Sequence, residues 1–273
     1  MALPVPRSLS PSKVSSFKDC ALAFRFSVID RLPEPPAPHL VKGTLVHSAL
    51  EGLFWDHERG ARTPEAARES LAAAWSALQA DAEFLELDLS DEERRAFLAD
   101  AETLVADYFR LEDPDAIDAV GVELLLEADV GGLRLRGIID RLDVTPDGEF
   151  IVIDYKTGRV PSEMQEHSRL GGVQFYALLC EQVLGRRPIS VRLLYLKEPM
   201  VIAADPSEQA LRGLLQRTSA VWSAIERACE DEDFRPKPSG LCKFCNFQAY
   251  CPAFGGDPSA ASALSAQLHG APA

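Results

Sequence analysis

Gly137-Ile138-Ile139-Asp140-Arg141-Leu142-Asp143 and, beyond a turn at Pro146-Asp147-Gly148, Ile151-Val152-Ile153-Asp154-Tyr155-Lys156-Thr157-Gly158 set the architecture of this chain. Side chains at i and i+2 of a strand share a face, so Asp154 and Lys156 project together while Ile153 and Tyr155 point the other way. A hairpin across the turn brings Asp140 beside them. Two carboxylates at adjoining strand ends form an oxygen-rich site suited to Mg²⁺ or Mn²⁺, and a neighbouring lysine stabilises negative charge or orients a water. That is apparatus for phosphodiester hydrolysis. A solvated ion pair explains one Asp-x-Lys triplet; it explains less well two acids that each end an apolar strand.

Upstream, Glu123–Val130 and Leu133–Val144 read as strands joined at Gly131-Gly132, and Glu149–Tyr155 completes a meander. Downstream, residues 163 to 184 have a helical pattern, weakened at Gly171-Gly172 by about 1 kcal/mol per glycine. Ile189–Leu196 is β-compatible, and Ser207–Cys229 reads as a long helix. Before the strands, Ser10-Pro11-Ser12 offers capping hydroxyls to a short helix through Val14, Phe17 and Cys20. The proline-rich connector Leu32–Pro38 follows, and then a helix from Gly43 to about Arg59 that carries His47. Pro64 and Asp91-Glu92-Glu93 mark two further helix starts. The order predicts an α/β fold: a central mixed β-sheet flanked by helices, with a helical insertion at about 60–118. Residues 257–273, rich in Ala, Ser, Pro and Gly, read as a disordered tail.

The acidity of the chain is regional. Of 273 residues, 42 are Asp or Glu and 28 Lys or Arg, a formal charge of −14. Residues 51–130 hold 22 acids and 6 bases, net −16, which leaves 20 acids and 22 bases, net +2, elsewhere. A uniformly basic nucleic-acid binder is excluded, whereas a divided surface is not. No apolar run reaches the roughly 20 residues that span a bilayer, and Met1-Ala2-Leu3-Pro4-Val5-Pro6-Arg7 lacks the pattern of a signal peptide. A cytoplasmic protein without membrane contact is expected.

Six cysteines in a reducing compartment point to metal binding rather than a disulfide framework. Cys242-x2-Cys245-x5-Cys251 places three thiolates within ten residues, and the fourth ligand comes from Cys20, Cys180 or Cys229. Spacing alone does not separate an iron–sulfur cluster from structural Zn²⁺. Phe244, Phe247 and Tyr250 either stack bases or shield the centre.

The Gly137–Asp143 and Ile151–Gly158 segments resemble the PD-(D/E)XK nuclease superfamily, in particular its RecB-like exonuclease branch, and the resemblance extends over about residues 8–254. It implies a restriction-endonuclease-like core with a cysteine-cluster clamp, a single nuclease domain over 1–256. It also implies that His47, in Gly43-Thr44-Leu45-Val46-His47, is a metal ligand together with Asp140 and Asp154, with the Tyr155 carbonyl as a further ligand. A histidine on an apolar helix is otherwise most often a hydrogen-bonded core residue. Asp140, Asp154 and Lys156 become the catalytic set, and Glu123 a weaker candidate. The branch carries a glutamine four residues before a tyrosine on the helix after the catalytic strand; Tyr176 matches the tyrosine, but Gly172 stands at the glutamine position, with Gln174 displaced to another helix face. Iron–sulfur members of the branch, the AddB and CRISPR adaptation nucleases, take one cysteine before the core and three after it, which selects Cys20 for a 4Fe–4S cluster with Cys242, Cys245 and Cys251.

The function implied is metal-dependent exonucleolytic hydrolysis of DNA, single-stranded or with free ends, in repair or recombination. CRISPR-type end processing and a non-catalytic DNA-binding scaffold of the same fold are the alternatives. Arg25, Arg31, Lys42, Arg136, Arg141, Arg159 and Arg169 are candidate phosphate contacts. No Gly-x4-Gly-Lys-[Ser/Thr] loop occurs, so any motor is a helicase, or another repair or adaptation protein, on a second chain.

Overall fold

The computed structural model describes residues 2–160 and 163–269, without the side chains of 163–171 and 173. Ser10 caps helix α1 (Pro11–Asp19) through a hydrogen bond from Lys13 N to its Oγ, and α2 (Ala21–Phe24) follows directly. The next helix, α3 (Pro38–Trp55), starts five residues earlier than expected, because Pro38 at its first position has the right φ and no N–H to satisfy. Thr63 caps α4 (Pro64–Leu78), α5 spans Ala82–Glu86, and α6 (Asp91–Tyr108) opens on a Ser90/Glu93 capping box with three acids in its first turn.

These helices correspond to the expected insertion at about 60–118, but they share the core. Phe97, Ala101, Leu104, Val105 and Tyr108 are buried with Leu45, Leu50 and Leu53 of α3 and with Ile153, Tyr155 and Leu194. Each large apolar side chain so buried contributes about 1.5–3 kcal/mol, so the acidic segment is tied down by its apolar stripe while its charges face water.

The sheet contains β1 (Ala119–Val130), β2 (Leu133–Val144), β3 (Phe150–Lys156), β4 (Ser190–Tyr195) and β5 (Met200–Ala204) in the order β1-β2-β3-β4-β5. Gly131 and Gly132, at φ +59° and +83°, make the β1–β2 turn that the right-handed twist of the strands prefers. Antiparallel pairing of Arg141 with Ile153 and of Val144 with Phe150 fixes the β2–β3 register. Helix α7 (Glu163–Leu184) then crosses over, so that β4 runs parallel to β3 with Asp154 opposite Leu193 and Lys156 opposite Tyr195. β5 returns antiparallel to β4. This edge strand has no counterpart in the sequence reading: five residues between Pro199 and Asp205-Pro206 are too short for a periodic signal.

Gly137 positions α7. A Cβ there would stand 2.9 Å from both Leu179 Cδ1 and Tyr176 Cε1. Gly137→Ala is therefore expected to push α7 off β2 and to cost about 1–3 kcal/mol. A thermal-denaturation midpoint equal to that of the wild type would show that this approach is not close.

The chain divides into two compact units that separate its two chemical centres. Residues 36–126 and 137–211 form one unit, with His47, Glu123, Asp140, Asp154 and Lys156; residues 1–35, 127–136 and 212–273 form the other, with Cys20, Cys242, Cys245 and Cys251. In the latter, Leu9 adds a single parallel bridge to Leu135, with Leu9 N donating to Arg134 O and Arg136 N to Leu9 O. Helix α8 (Glu208–Glu230) enters this unit at Arg212. The tail expected to be disordered over 257–273 instead contains helix α9 (Pro258–His269). Asp257 accepts from Ser259 N, Pro258 occupies the first turn, Ala261 is fully buried, Arg25 Nη2 donates to Ser262 Oγ at 2.8 Å, and Ser265 Oγ donates to Asp30 O at 2.6 Å. Residues 270–273 and the side chain of Arg169 lie outside the described residues. Among the described residues no helix is long and apolar enough to cross a membrane.

Candidate active site and cysteine centre

The hairpin places the two acids as its register requires. Asp140 lies one residue before the Arg141–Ile153 pair, and its Oδ2 accepts a hydrogen bond of 2.6 Å from Tyr155 N. Asp154 and Lys156 form an ion pair, while Ile153 and Tyr155 on the opposite face are buried in the core. Alternation along β3 thus separates the polar chemistry from the packing that holds it.

Helix α3 supplies His47. Its Nε2 lies 3.2 Å from the Tyr155 carbonyl, which only accepts, so Nε2–H donates to it and Nδ1 faces the carboxylates. Nδ1 is 3.5 Å from Asp140 Oδ2 and 3.9 Å from Glu123 Oε1. A histidine whose other ring nitrogen donates to a backbone carbonyl has the orientation common in metal sites. The Tyr155 carbonyl, expected as a further ligand, holds the imidazole in this geometry.

The structure promotes Glu123. His47, Glu123 and Asp140 offer ligand atoms that all lie within 4.8 Å of one another, an oxygen-rich set with one imidazole that fits a hard divalent cation. Asp154 stands beside this trio and acts electrostatically on both His47 and Asp140. Glu123 was ambiguous in the sequence because its position depends on the backbone: φ is +44°, left-handed within β1, which breaks the alternation and turns the side chain toward the site.

The electrostatics of the trio call for a cation. Burial, then the neighbouring Asp154, pushes the Asp140 carboxyl up to about 7. Burial alone lowers the His47 pKa, but the nearby carboxylates of Glu123, Asp140 and Asp154 outweigh it and raise it. Glu51, one turn along α3, is raised by burial and by Glu123 and Asp56. The Tyr176 pKa is raised by burial and by the charges of Asp154, Asp140 and Glu123.

A cleft of about 680 Å³ opens over His47 and Glu123, lined also by Glu51, Lys156, Lys42, Arg159 and Lys197. Of the candidate phosphate contacts, Arg159 is exposed there; Lys42 reaches the cleft while paired with Asp100. Lys197, just past β4, was not singled out, since one lysine beyond a strand carries no pattern.

Arg141 is corrected outright. Its side chain is fully buried, with Nε and Nη2 donating to Asp143 at 2.7 and 2.9 Å and Nη1 donating to Tyr155 Oη at 2.6 Å and Tyr108 Oη at 3.1 Å; Nη1 also reaches Glu112. The guanidinium lies 4.5 Å from the centre of the Phe54 ring. It binds no phosphate. Instead it anchors the Tyr155 ring, whose backbone holds Asp140 and His47.

The four cysteines of the other unit also converge. Cys20 sits at the break between α1 and α2, Cys242 and Cys245 flank the end of a 3₁₀ turn at Gly240–Phe244, and Cys251 lies between two more. Burial raises the Cys245 pKa; a hydrogen bond from Phe247 lowers it, and Cys20, Cys242 and Cys251 act on it as like charges. Lys237 N donates to Cys20 Sγ at 3.5 Å and Ser239 N to Cys242 Sγ at 3.3 Å. All four line a cavity of about 460 Å³. Phe247 is 5% exposed and packs on Phe26 at 5.6 Å between ring centres, so it shields this centre. Cys180 and Cys229 are buried.

Residues 8–252 match the family model of the PD-(D/E)XK nuclease superfamily. The chain belongs to this superfamily. Members of the PD-(D/E)XK superfamily usually use divalent metals, in keeping with the His–Glu–Asp group. This member is 24% identical over 272 residues to the Gene 69 protein of Mycobacterium phage D29, covering 90% of the chain and 96% of that protein. Its fold is also that of a solved protein from Eubacterium rectale whose exonuclease designation is itself provisional: TM-score 0.58, 13% identity, 87% of this chain and 86% of the other.

Proposed function

We propose that the chain is a RecB-like, divalent-metal-dependent DNA exonuclease of the cytoplasm, acting in repair or recombination alone or beside a motor on another chain. The observation that carries this reading is the convergence of His47, Glu123 and Asp140 next to the Asp154–Lys156 pair. His47, Asp140 and Asp154, with Glu123, are the proposed ligands of Mg²⁺ or Mn²⁺. A cation held there supplies positive charge to the phosphate and lowers the pKa of a coordinated water. Lys156 adds a cation at the same face, aimed by Asp154, and orients water or the scissile phosphate. Lys42, Arg159 and Lys197 line the cleft where a nucleic-acid backbone needs counter-charge. The test is degradation of end-labelled single- and double-stranded DNA with Mg²⁺ or Mn²⁺: loss of label from one end is expected, and intact DNA under all conditions would sink the reading.

Cys20, Cys242, Cys245 and Cys251 are proposed to hold a structural 4Fe–4S cluster. The four thiols gathered on one cavity, with the Lys237 and Ser239 backbone N–H groups donating to two of them, support a thiolate-bound metal centre, and the family resemblance favours iron over zinc there. Anaerobically purified protein is expected to be coloured and to contain iron, with both lost in Cys251→Ser; colourless protein with one zinc would refute the assignment. Because the centre ties residue 20 to residues 242–251, its loss should also lower the melting midpoint.

A further inference from the structure

We propose that Trp55 is a stacking platform for a nucleobase of a single-stranded nucleic acid whose backbone passes the candidate metal site, an inference that rests on the nuclease reading above. His47, Glu51 and Trp55 succeed one another at four-residue intervals along α3, so they form one ridge of the helix. Eight residues at 1.5 Å each put Trp55 about 12 Å along the axis from His47. Its indole is 76% exposed, an unusual state for the largest apolar side chain.

Trp55 also lines a cavity. A second hollow of about 390 Å³ contains Trp55 and Asp56 and shares Ser48, Glu51 and Glu123 with the 680 Å³ cleft over the metal site, so the two are continuous along α3. Their charges differ. Glu51 and Glu123 line both, but the cations Lys42, Lys156, Arg159 and Lys197 line only the cleft, whereas the hollow holds Trp55 with Asp56 and no cation. Carboxylates repel phosphate but accept hydrogen bonds from the amino groups of bases, and an indole face takes any base by stacking. The hollow therefore suits a base swung away from a backbone that runs on the basic wall. An unpaired base offers such a face; a base stacked within a duplex does not.

Binding tests this without requiring cleavage. A fluorescein-labelled single-stranded oligodeoxynucleotide, followed by anisotropy in Ca²⁺, is expected to bind Trp55→Ala about 5- to 150-fold more weakly than wild type, the range of one base–aromatic stack. Trp55→Phe should recover most of the loss. Abasic sites stepped along the strand should find one register at which wild type loses affinity and Trp55→Ala does not. Equal affinity of wild type and Trp55→Ala for every oligonucleotide overturns the proposal and leaves the indole to a protein partner, as does the absence of any binding by wild type. Normal stacking-dependent binding without cleavage in Mg²⁺ or Mn²⁺ would instead uphold the subsite and count against the nuclease reading.

Discussion

Asp140→Asn is expected to reduce metal-dependent DNA cleavage on the order of a thousandfold while leaving the metal-free protein at least as stable as wild type at pH 8. The activity loss follows from position: Asp140 belongs to the trio that can share one cation, and removing a preorganised charge from such a site commonly costs a hundredfold or more. The stability result follows from the raised pKa. A carboxyl that titrates near 3.8 unfolded and about 7 folded favours the fold below 3.8, where it is protonated in both states, and that contribution is lost as pH rises through 7. Asparagine keeps an oxygen for Tyr155 N and removes the buried charge. Activity retained within tenfold would exclude Asp140 from the metal site, and a large fall in the metal-free midpoint would mean that the carboxylate is a structural acceptor first. Asp154→Ala and Lys156→Ala should lose activity on a similar scale, because each removes one half of the pair beside the trio.

Arg141→Leu carries the largest expected cost in stability, about 3–5 kcal/mol, since it leaves the buried Asp143 and the half-buried Glu112 without their cation. Burial by itself disfavours the guanidinium charge, yet Tyr155, Tyr108, Glu112 and Asp143 hold its pKa well above the usual value. Denaturation should show a midpoint lower by roughly 10 °C. Arg141→Lys should lie between, because an ammonium keeps the charge but cannot form the fork to Asp143. A shift of only one or two degrees in Arg141→Leu would mean that the network is solvated, and the arginine would again be open to a role at the surface.

The same residues show what the sequence could and could not convey. β2 and β3 were legible because apolar runs led directly into Asp140 and Asp154 and the turns between strands carried glycine. Glu123 was half-legible: strand and residue type were right, but its approach to His47 depends on one left-handed φ. Arg141 was misread because an arginine between an acid and a leucine looks like any surface residue; its burial depends on Tyr108 and Glu112, which lie about 30 positions away along the chain. Residues 258–269 looked disordered by composition, yet Asp257 and Pro258 start a helix whose small side chains let it pack at Ala261.

The division of the chain also sets an order of events during synthesis. The unit with the hydrolytic residues is complete in sequence by residue 211, whereas the thiol centre joins Cys20 to Cys251. As the chain leaves the ribosome, β2, β3 and β4 can pair while Cys20 still waits for three partners not yet translated. A metal centre at these cysteines, as proposed, would therefore be completed only after the hydrolytic unit has its full sequence.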